Sequence, residues 1–321
     1  MRLDFETIKK ITTGAVDIVD NNGEIEFSRL TEQQKNAFLA EQENFNIKVG
    51  STASVRFDFK TDSKYLKIGF TNVRSGSSRT FYSFDVYEND QMIYSYYNNY
   101  TKVTRDEFCV KLSGDSHVQV FFPNLSGASI EYVELSDGAS VVPSQFDKNI
   151  IMYGDSITHG YDATCTSLSY ANIFARRLNA NVVNTAIGGA IFNSDVVVKL
   201  ENFTPDFITV AYGTNDWSKL TKETFDNNFN AFLEKLKATY PNVPAYFILP
   251  IWRGDCDRIT GCGTFDEHRA YMKKQIEKCG YVAIDDLKIV PNDARMYSPD
   301  MLHPNDVGFV HYANALLKYI R

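Results

Sequence analysis

The chain has 321 residues, 44% of them hydrophobic and 23% charged, with a formal net charge of -7. That length suits two domains, and the composition is that of an ordinary globular protein. The charge argues against a nucleic-acid partner, and no apolar run approaches the roughly 20 residues that cross a bilayer, so no membrane partner is expected.

The first residues, Met1-Arg2-Leu3-Asp4-Phe5-Glu6, lack the basic start and apolar core of a signal peptide. The expected location is the cytoplasm, or outside the cell if a leader has been removed. The five cysteines, Cys109, Cys165, Cys256, Cys262 and Cys279, follow no repeating spacing, which suits free thiols in a reducing compartment. Cys256 and Cys262 are read as two free thiols in a glycine-containing loop, with a bridge or half a metal site as the alternatives. No cofactor or metal is called for.

From about Gly14 to Val142 short strands alternate with turns. A helix is expected near Thr31–Ala40, with Thr31 as cap and Gln34 at the capping-box position. Strands follow near 55–59, 65–70, 82–87, 92–94, 118–123 and 130–135. Period-two alternation with turns at this spacing predicts an all-β sandwich or jelly roll over 1–142. After Pro143 the rhythm becomes strand, helix, strand, helix. Strands are expected near 149–153, 182–186, 207–212, 245–249 and 282–284, and helices near 169–178, 221–239, 265–278 and 305–320. That alternation predicts a parallel sheet covered on both faces over 143–321.

Four short motifs fall at strand ends or loops of the second half: Gly154-Asp155-Ser156, Asn184-Thr185-Ala186-Ile187-Gly188-Gly189, Gly213-Thr214-Asn215-Asp216 and Asp300-Met301-Leu302-His303-Pro304. The first ends the apolar run Ile150–Tyr153 and puts a serine at the C-terminal lip of a buried strand, where open α/β sheets bind ligands. A serine that enters a helix there also points its own N–H at the site. Ser156 is the candidate nucleophile, and a hydroxyl needs a neighbouring base to attack. His303 is the candidate base. Asp300, three residues earlier, is the candidate for orienting the imidazole and favouring the imidazolium. Asp155 and Asp216 read as structural, accepting backbone N–H bonds across their turns.

Together the four motifs resemble the diagnostic blocks of the SGNH (GDSL-type) hydrolases, serine esterases and deacetylases on a flavodoxin-like fold. The resemblance covers about Asn149 to Arg321. It implies a three-layer α/β/α domain and a Ser156-His303-Asp300 triad. It also implies an oxyanion hole made by the backbone N–H groups of Ser156 and Gly189 and the side-chain amide of Asn215. A glycine lets the backbone approach the substrate, and a neutral amide donates without ionising. Relatives often carry glycine where this chain has Ala186, and some work without the acidic member.

A β-sandwich ahead of such a domain resembles the two-domain carbohydrate esterases that remove acetyl groups from polysaccharides. The expected activity is hydrolysis of short acyl esters, above all O-acetyl groups on carbohydrates, with a small-molecule or oligosaccharide ester as substrate and the oligomeric state left open. The alternatives are another short-chain esterase, thioesterase or lysophospholipase of the superfamily, or a catalytically silent carbohydrate-binding protein. Trp217, directly after Asn215-Asp216, and Trp252, after the fourth strand, are expected to wall the substrate site. His159 is placed with them as a pocket-lining residue, with a half-exposed loop histidine as the alternative. Tyr94, Tyr96, Tyr97 and Tyr100 offer flat faces for sugar rings, with packing of the sandwich or its edge as the preferred reading. His117, His268 and His311 read as structural or surface residues.

Overall fold

The computed structural model describes residues 1–320. The fold is mixed α/β, with two antiparallel sheets in the first half and one parallel sheet in the second. One antiparallel sheet runs, in spatial order, Thr12–Thr13, Arg56–Thr61, Ser116–Phe121, Phe81–Glu88 and Gln91–Asn99, with Val142–Pro143 also pairing onto Arg56–Thr61. The other runs Asp17–Asn21, Glu24–Ser28, Ser126–Leu135, Tyr65–Ser75 and Asp106–Lys111. Their shared core is strongly aromatic: Phe57, Phe70, Phe84 and Phe122 are buried and meet largely edge to face. Tyr94 and Tyr96 pack on Phe108, Tyr97 stacks on Phe81, and the Tyr100 hydroxyl donates to the Ser77 carbonyl. Tyr96 and Tyr100 are partly buried in that packing, while Tyr94 and Tyr97 keep exposed faces.

The parallel sheet is numbered here on its own: β1 (Lys148–Gly154), β2 (Ala180–Asn184), β3 (Phe207–Ala211), β4 (Ala245–Ile248) and β5 (Val282–Ile284). Its spatial order is β2-β1-β3-β4-β5. Pleating splits β1 between two cores. Ile150 and Met152 face a cluster with α2 (Tyr170–Arg177) and α6 (Asp306–Tyr319), while Ile151 and Tyr153 face one with α4 (Lys222–Thr239) and α5 (Phe265–Lys278). Two short helices, α1 (Ser156–His159) and α3 (Thr214–Lys219), follow β1 and β3. Thr221 and Thr264 cap α4 and α5 with their side chains, and Thr264 with Glu267 completes a capping box. None of the described helices is long and apolar enough to cross a membrane.

The helix at Glu32–Glu41 starts at Thr31 in a capping box with Gln34, where the capping signal places it. Its Phe38, with Leu30 and Phe45, is buried in the core on the α4 face of the parallel sheet. The Gln34 amide donates to the Val196 carbonyl. The two halves are therefore pinned together by an apolar insertion, and by polar contacts such as Arg56 to the Ala180 carbonyl at 2.8 Å.

β1 lies where the strand order reverses. The chain leaves β1 toward β2 on one side and leaves β3 toward β4 on the other, which opens a crevice at the carboxyl ends of β1 and β3. Ser156 and Asn215 begin just beyond those two ends.

Candidate active site

β1 ends at Gly154, where a Cβ would collide with the Thr158 hydroxyl. Asp155 then caps α1 by accepting from the Ile157 N–H at 3.0 Å, and Gly160 ends it with φ 99°. Ser156 is thus held at the first position of a one-turn helix, 7% exposed. Burial pushes the Asp155 carboxyl up to about 6, against the Ile157 N–H bond that lowers it. Asp216 accepts from the Phe192 and Gly213 N–H groups and is pushed by burial up to about 7. Both carboxyls are turn-holders, as their neighbourhoods suggest.

His303 Nε2 lies 2.7 Å from Ser156 Oγ, and His303 Nδ1 lies 2.6 Å from Asp300 Oδ2. With Nδ1–H donating to the carboxylate, Nε2 is left as acceptor for the serine hydroxyl. The other Asp300 oxygen accepts from the backbone N–H groups of Leu302 and His303 at 2.9 and 3.0 Å. Met301 takes φ 54° to make this tight loop. Burial raises the Asp300 carboxyl, but the imidazole and the two N–H groups outweigh it and hold the carboxyl well below its ordinary range. A second carboxylate, Asp162, stands 3.4 Å from His303 Nδ1. It is gripped by Arg79 through two bonds at 2.9 and 3.0 Å, and Arg79 also reaches within 3.7 Å of Asp300. The Tyr161 ring stacks on the imidazole. Asp162, Asp300 and His303 bring ligand-type atoms within 4.8 Å of one another, with the single Arg79 guanidinium against both carboxylates.

Gly189 has φ 94°, a conformation that favours glycine. The Asn215 amide donates one hydrogen to the Ala190 carbonyl at 3.1 Å, which leaves the second free. Ser156, Gly188, Gly189, Asn215 and His303 line one cleft of about 350 Å³. Asn44, Ile47, Lys48, Ser78 and Arg79, all from the first 79 residues, line the same cleft.

The Asn184–Gly189 loop is supported from behind. Arg29 is fully buried, and its guanidinium donates to the carbonyls of Asn184 (2.7 Å), Ala186 (2.9 Å) and Ser51 (3.0 Å) and to the Ser51 hydroxyl (2.9 Å). Burial lowers its pKa to about 9. Ser51 Oγ lies 2.8 Å from His159 Nε2, and His159 Nδ1 accepts from the Gly188 N–H at 3.1 Å. This second serine–histidine pair is sealed from solvent, and its further partner is a cation rather than a carboxylate.

Three expected wall residues lie elsewhere. Trp217 is 0% exposed, donates its indole N–H to the Gly263 carbonyl at 3.0 Å and packs on Phe265. Asn215 lies on a helix, and two residues further on is about 200° around it, on the opposite side. Trp252 is half-buried with its edge against Tyr297 and does not line the cleft. His159 is 0% exposed, because Ser51 and the Asn124 carbonyl at 2.9 Å cover it; burial and the Arg29 charge keep it neutral. The cleft instead uses Tyr161, Lys48, Arg79 and Leu302. Tyr161-Asp162, directly after the Gly160 stop, was within reach of a local reading; Lys48 and Arg79 carry no local signal. Among the other histidines, His117 pairs with buried Asp58 at 2.6 Å, His268 bonds the Gly213 carbonyl at 3.1 Å, and His311 is exposed on α6. All five cysteines are free.

Residues 152–309 match the model of the GDSL-like Lipase/Acylhydrolase family, and the chain carries a domain of that family. No curated protein matches the sequence. Among solved structures, the salicylyl-acyltransferase SsfX3 from a tetracycline biosynthetic pathway aligns with TM-score 0.79 at 19% identity, over 96% of this chain and 95% of that one. A family two carbohydrate esterase from Cellvibrio japonicus aligns with TM-score 0.63 at 14% identity, over 97% and 93%. One from Clostridium thermocellum, in complex with cellohexaose, aligns with TM-score 0.61 at 17% identity, over 83% and 91%. At such identities the likeness is one of fold.

Proposed function

We propose that this protein is a serine esterase that hydrolyses short acyl esters, with O-acetyl groups on carbohydrates or oligosaccharides as its substrate class. The observation that carries the reading is the hydrogen-bonded line Ser156–His303–Asp300, at 2.7 and 2.6 Å, opening on a cleft that also holds Gly189 and Asn215.

In this reading Ser156 Oγ attacks the acyl carbon while its proton passes to His303 Nε2. The carbonyl oxygen becomes an oxyanion that accepts from the N–H groups of Ser156 and Gly189 and from the free amide hydrogen of Asn215. Asp300 holds Nδ1–H and stabilises the imidazolium. The C–O bond to the alcohol then breaks, and the alcohol leaves with the proton from Nε2. A water molecule, deprotonated by the same nitrogen, attacks the acyl-serine and releases the acid. Each oxyanion donor contributes about 3–4 kcal/mol to the barrier reduction.

Residues 143–321 are read as a flavodoxin-like SGNH catalytic domain and residues 1–142 as a jelly-roll-like accessory domain. The cleft residues from positions 44 to 79 give that first domain a direct part in substrate binding. The carbohydrate reading is supported by the polar groups of Asn44, Lys48, Ser78 and Arg79, which stand in the cleft beside its apolar wall of Ile47, Tyr161 and Leu302. Hydrolysis of p-nitrophenyl acetate, lost in Ser156→Ala, tests the esterase. Acetate release from acetylated oligosaccharides, set against longer acyl esters and acyl-CoA, tests the substrate class. Activity that climbs steeply with acyl length would remove the carbohydrate assignment.

A further inference from the structure

The loop that carries Gly189 is flanked by two ammonium groups. Lys48 Nζ donates to the Gly188 carbonyl, and Lys219 Nζ donates to the Gly189 carbonyl at 2.8 Å. A Cβ placed on Gly189 would lie 3.6 Å from Lys48 Nζ and 3.7 Å from Lys219 Nζ, so both charges crowd one residue of the candidate oxyanion hole. They come from distant parts of the chain, one from the first half and one from α3. Among the described residues, the lysines paired with carboxylates within 4.0 Å are Lys35, Lys67, Lys222 and Lys273. Lys48 and Lys219 are therefore without such a partner. Glu41, the nearest acidic influence, spends its oxygens on the Ile191 N–H and the Asn193 amide at 3.3 Å each. Asp162 and Asp300 are engaged with Arg79 and His303.

Two like charges held together disfavour each other, and Lys48 is also partly buried; its pKa is lowered by burial and then by the charges of Lys219 and Arg79. The two carbonyls they touch do not require full charges, since water or a neutral donor would satisfy them. Each ammonium keeps two further donors, and Lys48 lines the cleft itself. A chain of net charge -7 repels anions at long range, so a local pair of cations at the reacting centre marks a place where a negative group is wanted.

We infer that the substrate of this site is an anionic ester, whose carboxylate or phosphate docks on the Lys48 and Lys219 ammonium groups beside Gly189. This rests on the esterase reading above and narrows it: the scissile ester is neutral, while the acyl or the alcohol portion carries a negative charge.

The test uses two matched pairs. p-Nitrophenyl acetate against p-nitrophenyl hemisuccinate varies charge on the acyl side; an acetylated methyl glucoside against an acetylated methyl glucuronide varies it on the alcohol side. In at least one pair the anionic ester should have a kcat/KM about tenfold above its neutral partner. The preference should shrink as ionic strength rises from about 0.05 to about 0.5 M. It should fall toward parity in the Lys48→Met/Lys219→Met double variant, chiefly through KM, and persist in the Lys48→Arg/Lys219→Arg variant. Lys219 is exposed, so Lys219→Met alone serves if the double variant does not fold. Parity or a neutral preference in both pairs, with p-nitrophenyl acetate still hydrolysed, overturns the anionic inference and spares the esterase. If no ester is turned over, titration calorimetry of the full chain with succinate and with glucuronate decides. Binding weakened by Lys219→Met upholds the cationic site without the esterase, and no binding of either overturns it.

Discussion

Replacing Asp300 by Asn changes one atom and reverses a hydrogen bond. Asp300 Oδ1 is fixed by the N–H groups of Leu302 and His303, both donors, so the asparagine oxygen must stay there. Its NH2 then faces His303 Nδ1, now 2.6 Å from a carboxylate oxygen. A donor facing a donor is repulsive, so the imidazole must adopt the tautomer with Nδ1 as acceptor and the proton on Nε2. Nε2–H would point at Ser156 Oγ and could not take its proton. In a triad of this logic the wrong tautomer lowers kcat by roughly 10⁴, about 5.5 kcal/mol. Here a second carboxylate stands 3.4 Å from Nδ1, and a small ring shift lets it take the Nδ1–H instead. Arg79 holds that carboxylate back through two bonds, so the rescue is partial. The expected fall in kcat for Asp300→Asn is therefore roughly 10²–10³, with KM little changed. Asp162→Asn alone should cost less than about tenfold, and the double variant should reach the full loss of roughly 10⁴. Steady-state hydrolysis of p-nitrophenyl acetate at pH about 7.5 reads all three. An Asp300→Asn enzyme within about threefold of the parent, with the double variant no worse, would refute the assignment of Asp300 as the group that sets the tautomer.

Trp217→Phe keeps an aromatic ring but removes the N–H bonded to the Gly263 carbonyl. It should cost about 1–2 kcal/mol in urea unfolding and leave KM unmoved, whereas a tenfold rise in KM would return this residue to the substrate wall. Asp216 has a folded pKa raised from 3.8 to about 7, so the folded state binds more protons than the unfolded one across that window. Its contribution to stability is present below about pH 4 and declines as pH rises to about 7. In Asp216→Asn this decline is absent, so the stability deficit of the variant should be smaller at pH about 8 than at pH about 5 by roughly 2–3 kcal/mol; an unchanged deficit sinks the argument. Arg29→Lys keeps the charge but loses the fork that spans the Asn184, Ala186 and Ser51 acceptors. It should lower kcat about tenfold through a displaced Gly188-Gly189 segment, and a variant with full kcat would show that the loop holds its shape unaided.

What could be read from the sequence, and what could not, divides by how local its cause is. The helix after Thr31 is written in its capping box, and those at 222–239 and 265–278 in threonine caps and a 3.6 rhythm; all three appear within a residue or two of where those signals put them. The five parallel strands are short apolar runs ended by glycine or a polar turn, and their order in chain and sheet brings Ser156 and Asn215 to one crevice. The hairpin Asp17–Ser28 went unread although Asn22-Gly23 turns it, because its first strand is largely exposed and shows no apolar alternation. The short helices α1 and α3 lie below the length at which periodicity is visible. That gap explains the error at Trp217. With Asn215 taken as a loop residue, a neighbour two positions on looks adjacent in space; on a helix it faces the core.

The larger omission is the part played by the first half of the chain, and its physical origin is different. Arg29 meets Asn184 across 155 positions and Lys48 meets Gly188 across 140, contacts for which no window of sequence has a period or a cap. Yet both act on the same short loop: the arginine fixes its carbonyls from the buried side, and the lysine does so from the cleft side. With its carbonyls bonded to cations and the Gly188 N–H taken by His159, the loop is held in one shape, and in the esterase reading the Gly189 N–H is the one left for the oxyanion. The β-rich half is thus a structural condition for the geometry of the hydrolase half. Removing residues 1–142 would take away Phe38 and Phe45 from the core, the Arg29 fork from the loop and Lys48 from the cleft at once. Loss of activity in such a truncation would follow from the loop and core alone, which is why point changes at Arg29 and Lys219, rather than deletion, separate support of the oxyanion loop from recognition of the substrate.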